Sequence, residues 1–145
     1  MVNQTVVLLI PFLSLVFFGW VFIRIMQYVL RPKTIAVNDV FALCSGYLIL
    51  GLIATPFFVL LNMQLENALS IPPTAELNDL LYFSFITLTG VGYGDIVPIH
   101  NAAKSVSLLL GIIGQLYLAI LAGIIIGKFL AKERGLDVAD DLLKD

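Results

Sequence analysis

The residues with the clearest chemistry in this chain lie in one short segment, which reads TGVGYGD at residues 89–95. Glycines occupy positions 90, 92 and 94 and alternate with other residues. Because glycine adopts backbone angles that residues with a Cβ resist, this spacing allows successive backbone carbonyl groups to turn toward one axis. Carbonyl oxygens arranged in this way can replace the water molecules around a cation. The segment therefore predicts a cation-binding site made of backbone atoms.

One copy of this segment cannot enclose a cation, because a single strand supplies one carbonyl group at each level. The chain contains one such segment and no internal repeat. The other copies must therefore come from identical chains arranged around a common axis. The segment predicts a symmetric oligomer.

The composition places this segment in a membrane protein. Of the 145 residues, 60% are hydrophobic and only 12% are charged, and the mean hydropathy is +1.02. The net charge of −2 and the pI near 5.2 argue against nucleic-acid binding, which requires a basic surface. Cys44 and His100 are the single residues of their types, so we expect no disulfide, zinc site, cofactor or catalytic set. The composition therefore predicts a protein that acts in the bilayer and is not an enzyme.

Three apolar stretches are long enough to cross about 30 Å of hydrocarbon at about 1.5 Å per residue. They are residues 6–30, 40–61 and 105–130. A fourth stretch, residues 77–88, is too short to cross and is typical of a helix that enters the membrane and stops. We therefore predict three transmembrane helices and one re-entrant helix. The short connection between the first two spans predicts an antiparallel helical hairpin.

The re-entrant helix has recognisable start signals. Thr74 is predicted to cap its N-terminus. Glu76 and Asp79 fall in its first turns, where the helix dipole favours negative charge. The C-terminal end of this helix leads directly into the glycine-rich segment, so the helix is predicted to position that segment.

The basic residues predict the orientation of the chain in the membrane. Seven of the eight lie beside the first loop or after the last span: Arg24, Arg31, Lys33, Lys128, Lys132, Arg134 and Lys144. Basic residues accumulate on the cytoplasmic side of membrane proteins. We therefore predict a multi-pass protein of the plasma membrane, with its N-terminus outside the cell and its C-terminus in the cytoplasm.

The segment TLTGVGYGD at residues 87–95 resembles the signature of the potassium channel family, and residues 91–95 are identical to the family pattern. The resemblance covers about residues 40–130 and leaves the first helix outside it. It implies an all-α membrane protein with three transmembrane helices, a re-entrant pore helix and a selectivity filter, assembled as a homotetramer. It also implies passive conduction of K⁺ as the permeant ion, contact with membrane lipid, and no small-molecule substrate.

The resemblance also assigns the site residues. The implied ion-binding filter comprises Thr89, Gly90, Val91, Gly92, Tyr93 and Gly94. Potassium ions would bind to the backbone carbonyl groups of residues 90–93. Asp95 would lie behind the filter, and the Tyr82 hydroxyl would donate to it the hydrogen bond that a tryptophan often donates in the family.

The last span contains further candidate residues. Gly114 lies where the family places its gating hinge, and Gly111 is a near rival. The alternative for both glycines is close packing of helices. Gln115 and Tyr117 are polar groups in a membrane span, and each is expected either to line the cavity beneath the filter or to bond a neighbouring helix.

Gly90 is the filter position at which this chain departs from the family, which usually has a threonine there. The threonine hydroxyl and carbonyl together build the innermost ion site, whereas Gly90 retains only its carbonyl. A weakly selective cation channel is therefore one alternative, and a non-conducting accessory or transport subunit is another. A chance glycine turn, or half of a dinucleotide-binding motif, is disfavoured because no βαβ unit precedes the segment.

We therefore divide the chain into three parts. Residues 1–33 form a peripheral transmembrane helix with a cytoplasmic turn, and residues 34–130 form the pore domain. Residues 131–145 form a short cytoplasmic tail, which is too short for a ligand-binding domain.

Overall fold

The protein is all-α. The computed structural model describes residues 4–29, 37–65, 68–71 and 76–142, with side chains over most of that range. The described residues form four helices: α1 (Gln4–Val29), α2 (Val37–Gln64), α3 (Leu77–Thr89) and α4 (Asn101–Leu142). No strand occurs in this part of the chain apart from an isolated antiparallel bridge between Leu69 and Pro98.

Three of the helices are long and apolar enough to cross a membrane, as the sequence predicts. Their apolar stretches are Leu8–Val29, Asp39–Gln64 and Asn101–Ile124. The re-entrant helix is confirmed as a short one, because α3 has 13 residues and spans only about 20 Å. Two of these helices are longer than their apolar stretches: α2 begins at Val37, and α4 ends at Leu142. The helix α4 therefore runs on through most of the predicted tail.

The first helix packs along α2, its close helical neighbour among the described elements. Phe12 near the start of α1 lies beside Gln64 at the end of α2. Met26 near the end of α1 reaches Gly46 in the first half of α2. This confirms the predicted antiparallel hairpin. The connection between the two helices, with Arg31, Lys33 and the proposed boundary at residues 33 and 34, lies outside the described residues.

A small core between α2, α3 and α4 holds the re-entrant helix in place. The rings of Phe58 and Phe83 meet edge to face, with centroids 4.9 Å apart and planes at 74°. Leu88 at the end of α3 is fully buried. The Phe85 ring lies directly on Gly51, because a Cβ at that glycine would lie 2.6 Å from the ring. The sequence thus positions α3 by aromatic contacts at its middle and by Leu88 at its end.

The start of α3 differs from the prediction. The residue that precedes the first helical residue is Glu76, so the predicted cap at Thr74 is wrong, and Thr74 itself lies outside the described residues. The Asp79 carboxylate accepts a hydrogen bond from the Glu76 backbone N–H at 2.8 Å. The acidic residue that the helix dipole favours therefore also binds the backbone at the helix entrance.

Gly111 and Gly114 of α4 lie against the C-terminal end of α3. A Cβ at Gly114 would clash with the backbone carbonyl of Leu88. A Cβ at Gly111 would lie 3.7 Å from the Thr87 carbonyl oxygen, which is an ordinary contact. Close packing therefore accounts for Gly114, because the two backbones could not approach as they do with a larger residue there.

This difference between the two glycines is testable. We expect Gly114→Ala to lower the free energy of unfolding in detergent by about 1–3 kcal/mol, the usual cost of overpacking. Gly111→Ala is the matched control, and we expect it to be neutral or stabilising by up to about 1 kcal/mol because alanine favours a helix. Thermal and urea unfolding of the two purified variants measures both values. Equal effects of the two substitutions would contradict the packing interpretation.

Candidate functional site

The glycine-rich segment begins where α3 ends. Gly90 terminates the helix with a left-handed backbone, at a φ of 74°, and its N–H donates a hydrogen bond to the Thr87 carbonyl at 3.2 Å. The N–H of Gly92 donates to the Ile86 carbonyl, also at 3.2 Å. The segment is therefore tied to the last turn of α3, and the position of that helix determines where the segment starts.

Left-handed backbone recurs at every second residue of this segment. The φ angles are 74° at Gly90, 52° at Gly92 and 82° at Gly94. An L-residue with a side chain pays about 1–2 kcal/mol to adopt such an angle, so glycine at these positions serves the backbone conformation. The three glycines thus take the angles for which the sequence singled them out.

The segment is uncovered in a single chain. Residues 90–95 are all exposed, and Tyr93 and Val91 have 74% and 54% of their surfaces accessible. Within the described residues no three His, Cys, Asp or Glu side chains lie close enough to hold a metal ion. The polar groups that this exposed segment presents include the backbone carbonyls of residues 90–94.

Tyr82 and Asp95 come together although one lies on α3 and the other follows the glycine-rich segment. A hydrogen bond from the Tyr82 hydroxyl lowers the pKa of the Asp95 carboxyl below its ordinary value. The same bond to the Asp95 carboxylate raises the pKa of the Tyr82 hydroxyl. Since Asp95 follows directly on Gly94, this interaction relates the far end of the segment to the helix that begins it.

Two polar side chains reach the carbonyl groups at the end of α3. The Tyr47 hydroxyl of α2 donates to the Leu88 carbonyl at 3.3 Å. The Gln115 Nε2 of α4 donates to the Thr89 carbonyl at 3.3 Å. The Thr89 hydroxyl donates to the Phe85 carbonyl at 2.7 Å within its own helix. The end of the re-entrant helix is thus bonded from both neighbouring helices.

Tyr117 forms a further hydrogen bond between α4 and α2. Its hydroxyl donates to the Leu43 carbonyl of α2 at 2.7 Å, and its ring lies 5.7 Å from that of Tyr47. Gly46 leaves the room for it, because a Cβ there would clash with the Tyr117 hydroxyl. Helix-to-helix bonding, one of the two interpretations that the sequence left open, is confirmed for both Gln115 and Tyr117.

Sequence reasoning missed two supports of the site. It did not single out Tyr47, whose partner lies 41 residues away. It also missed the outer contact, in which the Ser70 N–H donates to the Val97 carbonyl at 2.8 Å and the Ser70 hydroxyl accepts from the Val97 N–H at 2.9 Å. Neither contact carries a local sequence signal, because each joins segments that only the fold brings together.

The chain is similar to known proteins over the stretch that contains this site. A family model described as "Ion channel" matches residues 47–131, which is more than half of the chain. The protein named Two pore potassium channel b, from Oryza sativa subsp. japonica, is 35% identical over 91 residues. That match covers 62% of this chain and 22% of the relative, so the chain spans about a fifth of the relative's length.

The contact between Tyr82 and Asp95 predicts a pH window. The hydrogen bond that lowers the pKa of Asp95 stabilises the fold at pH values above about 3.9, the ordinary pKa of this group. This contribution is lost as the pH falls through the lowered pKa. The same hydrogen bond, which raises the pKa of Tyr82, stabilises the fold at pH values below about 10, the ordinary pKa of a tyrosine. This contribution is lost as the pH rises through the raised pKa. The contact is therefore complete between about pH 4 and pH 10.

We expect Tyr82→Phe to return the pKa of Asp95 toward its ordinary value of about 3.9, because the donor is gone. Carbon-13 NMR of labelled aspartate carboxyl groups in detergent measures this titration, and Asp95→Asn identifies the signal by removing it. An unchanged Asp95 titration in Tyr82→Phe would contradict the contact.

Proposed function

The chain belongs to the ion channel family, and we propose that it is one subunit of a homotetramer that conducts potassium ions passively. The ions pass along the axis between four copies of residues 89–95. The carbonyl groups of residues 90–93 replace the water around each ion. Tyr82 and Asp95 support this filter from behind.

The observation that carries this proposal is the exposed, irregular backbone that follows the re-entrant helix. Its left-handed angles at Gly90, Gly92 and Gly94 exclude regular helix, and the described residues of a single chain leave it exposed. Irregular backbone at membrane depth is tolerated only where it is buried in protein or lines a water-filled cavity. Further copies of the chain around an axis meet both conditions, since they cover one side of the segment and leave the other facing the ion path.

The choice of potassium rests on the segment VGYGD at residues 91–95 and on the likeness to a plant protein whose name is that of a potassium channel. The end of α3 adds to it. A helix C-terminus carries about half an elementary negative charge, and four such ends directed at one axis favour a cation. The filter would therefore attract cations and select among them by the spacing of its carbonyls.

The site lies in a multi-pass membrane protein, and its orientation is part of the proposal. The basic residues after the last span support a cytoplasmic C-terminus. The N-terminus and the segment that contains Ser70 are then outside the cell. The plasma membrane is the compartment in which such a passive pore is proposed to act.

A weakly selective cation channel is the second candidate, and one observation favours it. Gly90 offers no side chain to the innermost ion level, so that level is weaker than the levels above it unless another group completes it. A non-conducting subunit is the third possibility, and recordings from the chain alone exclude or establish it.

Reconstitution of the purified chain in planar bilayers tests the proposal. With potassium ten times more concentrated on one side and sodium replacing it on the other, an ideally selective pore reverses near 59 mV, the voltage that corresponds to about a tenfold ratio for one charge. A pore that does not discriminate reverses near zero. We expect a reversal close to the first value and a tetrameric mass by native mass spectrometry. A stable monomer that conducts nothing would refute the proposal.

A pair of glycine variants tests whether the left-handed angles matter for conduction. Apart from its own local backbone, a Cβ added at Gly92 or at Gly19 would meet no atom of the described residues within 4 Å, so neither substitution is blocked by sterics in that part of a subunit. Only Gly92 has a left-handed backbone, whereas Gly19 lies within α1. We therefore expect Gly92→Ala to abolish selective potassium current and Gly19→Ala to leave it unchanged in bilayer recordings. Unchanged selectivity in Gly92→Ala would show that the angles do not serve the filter.

A further inference from the structure

Gln115 is a polar side chain near the middle of a largely apolar span. The stretch Asn101–Ile124 has a mean hydropathy of 2.1, and the neighbouring Leu116 is an exposed apolar residue. The Gln115 side chain is itself exposed in the single chain. Polar groups inside a membrane are costly and usually face a bundle interior or a water-filled cavity. Gln115 therefore needs a polar environment on the open side of the subunit.

The orientation of the Gln115 side-chain amide is determined by its one hydrogen bond. Its Nε2 donates to the Thr89 carbonyl at 3.3 Å, and only the nitrogen of the amide can donate to a carbonyl. No donor to its Oε1 occurs among the described residues. An amide oxygen with free lone pairs thus lies next to the base of the filter.

This amide also occupies the space beside Gly90. A Cβ at Gly90 would lie 2.8 Å from the Gln115 Nε2, and among the described residues no other side chain beyond its chain neighbours comes within 4 Å of that position. A side chain at residue 90 therefore requires the Gln115 amide to move away from its present position. The filter position that lacks a side chain is the position at which a side chain from α4 arrives.

We propose that Gln115 supplies the innermost oxygen ligand for the permeant cation, in place of a side chain at residue 90. The proposal rests on the proposed function, because four copies of Gln115 form a ring only in the tetramer. Side-chain amide oxygens bind hard cations as backbone carbonyls do. The ring receives the cation on the cavity side of the filter, and the bond from Nε2 to Thr89 holds each amide in place.

Two substitutions separate the role of an ion ligand from that of a structural link. Gln115→Leu removes both the oxygen and the donor while it keeps the size of the side chain. Gln115→Glu retains an oxygen ligand and removes the donor to Thr89. An oxygen ligand predicts that Gln115→Leu lowers the affinity for potassium about tenfold, which corresponds to about 1.4 kcal/mol, and that Gln115→Glu keeps or raises it. A structural link predicts that both variants lose affinity equally.

Isothermal titration calorimetry of the detergent-solubilised tetramer with potassium chloride measures the affinity, and reversal potentials in bilayers measure the selectivity. Leu116→Met is the matched control on the same helical turn, and we expect it to change neither value. Should Gln115→Leu fail to assemble, Gln115→Ala replaces it with the same expected loss. Crystals soaked in thallium acetate add a direct readout, because anomalous density at the innermost level should be present in Gln115→Glu and lost in Gln115→Leu.

The outcomes distinguish this inference from the proposed function. If the unmodified chain neither conducts nor discriminates potassium from sodium, the proposed function fails and this inference fails with it. If the unmodified chain is selective while Gln115→Leu retains its potassium affinity and its reversal potential, only the role of Gln115 is overturned. Equal losses in Gln115→Leu and Gln115→Glu would also overturn it, in favour of a structural link to Thr89.

Discussion

Every backbone polar group inside a bilayer needs a partner, and this constraint governs the whole arrangement around the glycine-rich segment. The helices α1, α2 and α4 satisfy it within themselves. The segment after α3 cannot, because its left-handed glycines direct carbonyl groups away from regular structure. Its carbonyls need a cation or water, and its outer side needs protein. The rest of the fold holds this one irregular stretch in position while it satisfies these needs.

Hydrophobic burial alone cannot hold α3, since lipid is as apolar as the core around it. Membrane helices instead associate through small residues and interhelical hydrogen bonds. Both occur here. Gly51 and Gly114 let the Phe85 ring and the Leu88 backbone approach closely. Tyr47 bonds the carbonyl at which Gly114 makes its contact, so packing and hydrogen bonding meet at the same turn of α3.

The segment is fastened at both ends by contacts of different kinds. At its start, backbone hydrogen bonds join it to the last turn of α3. At its far end, Asp95 is bonded to Tyr82, and the residues around Val97 pair with Ser70. A stretch held in this way keeps the spacing of its carbonyls without regular secondary structure. The proposed filter depends on carbonyl groups that are held in position in this way.

The sequence by itself determined the membrane class, the three spans, the re-entrant helix and the glycines that take left-handed angles, because apolar length and glycine spacing are local properties. It also paired Tyr82 with Asp95, through a family resemblance. It misplaced the cap of α3, because residue preference at a helix start favours threonine, whereas the helix begins after Glu76, whose backbone N–H is bonded by Asp79. Only the tertiary structure decided the roles of Tyr47, Ser70 and Gln115. Their partners are distant in sequence, and no local pattern indicates which carbonyl a donor will meet.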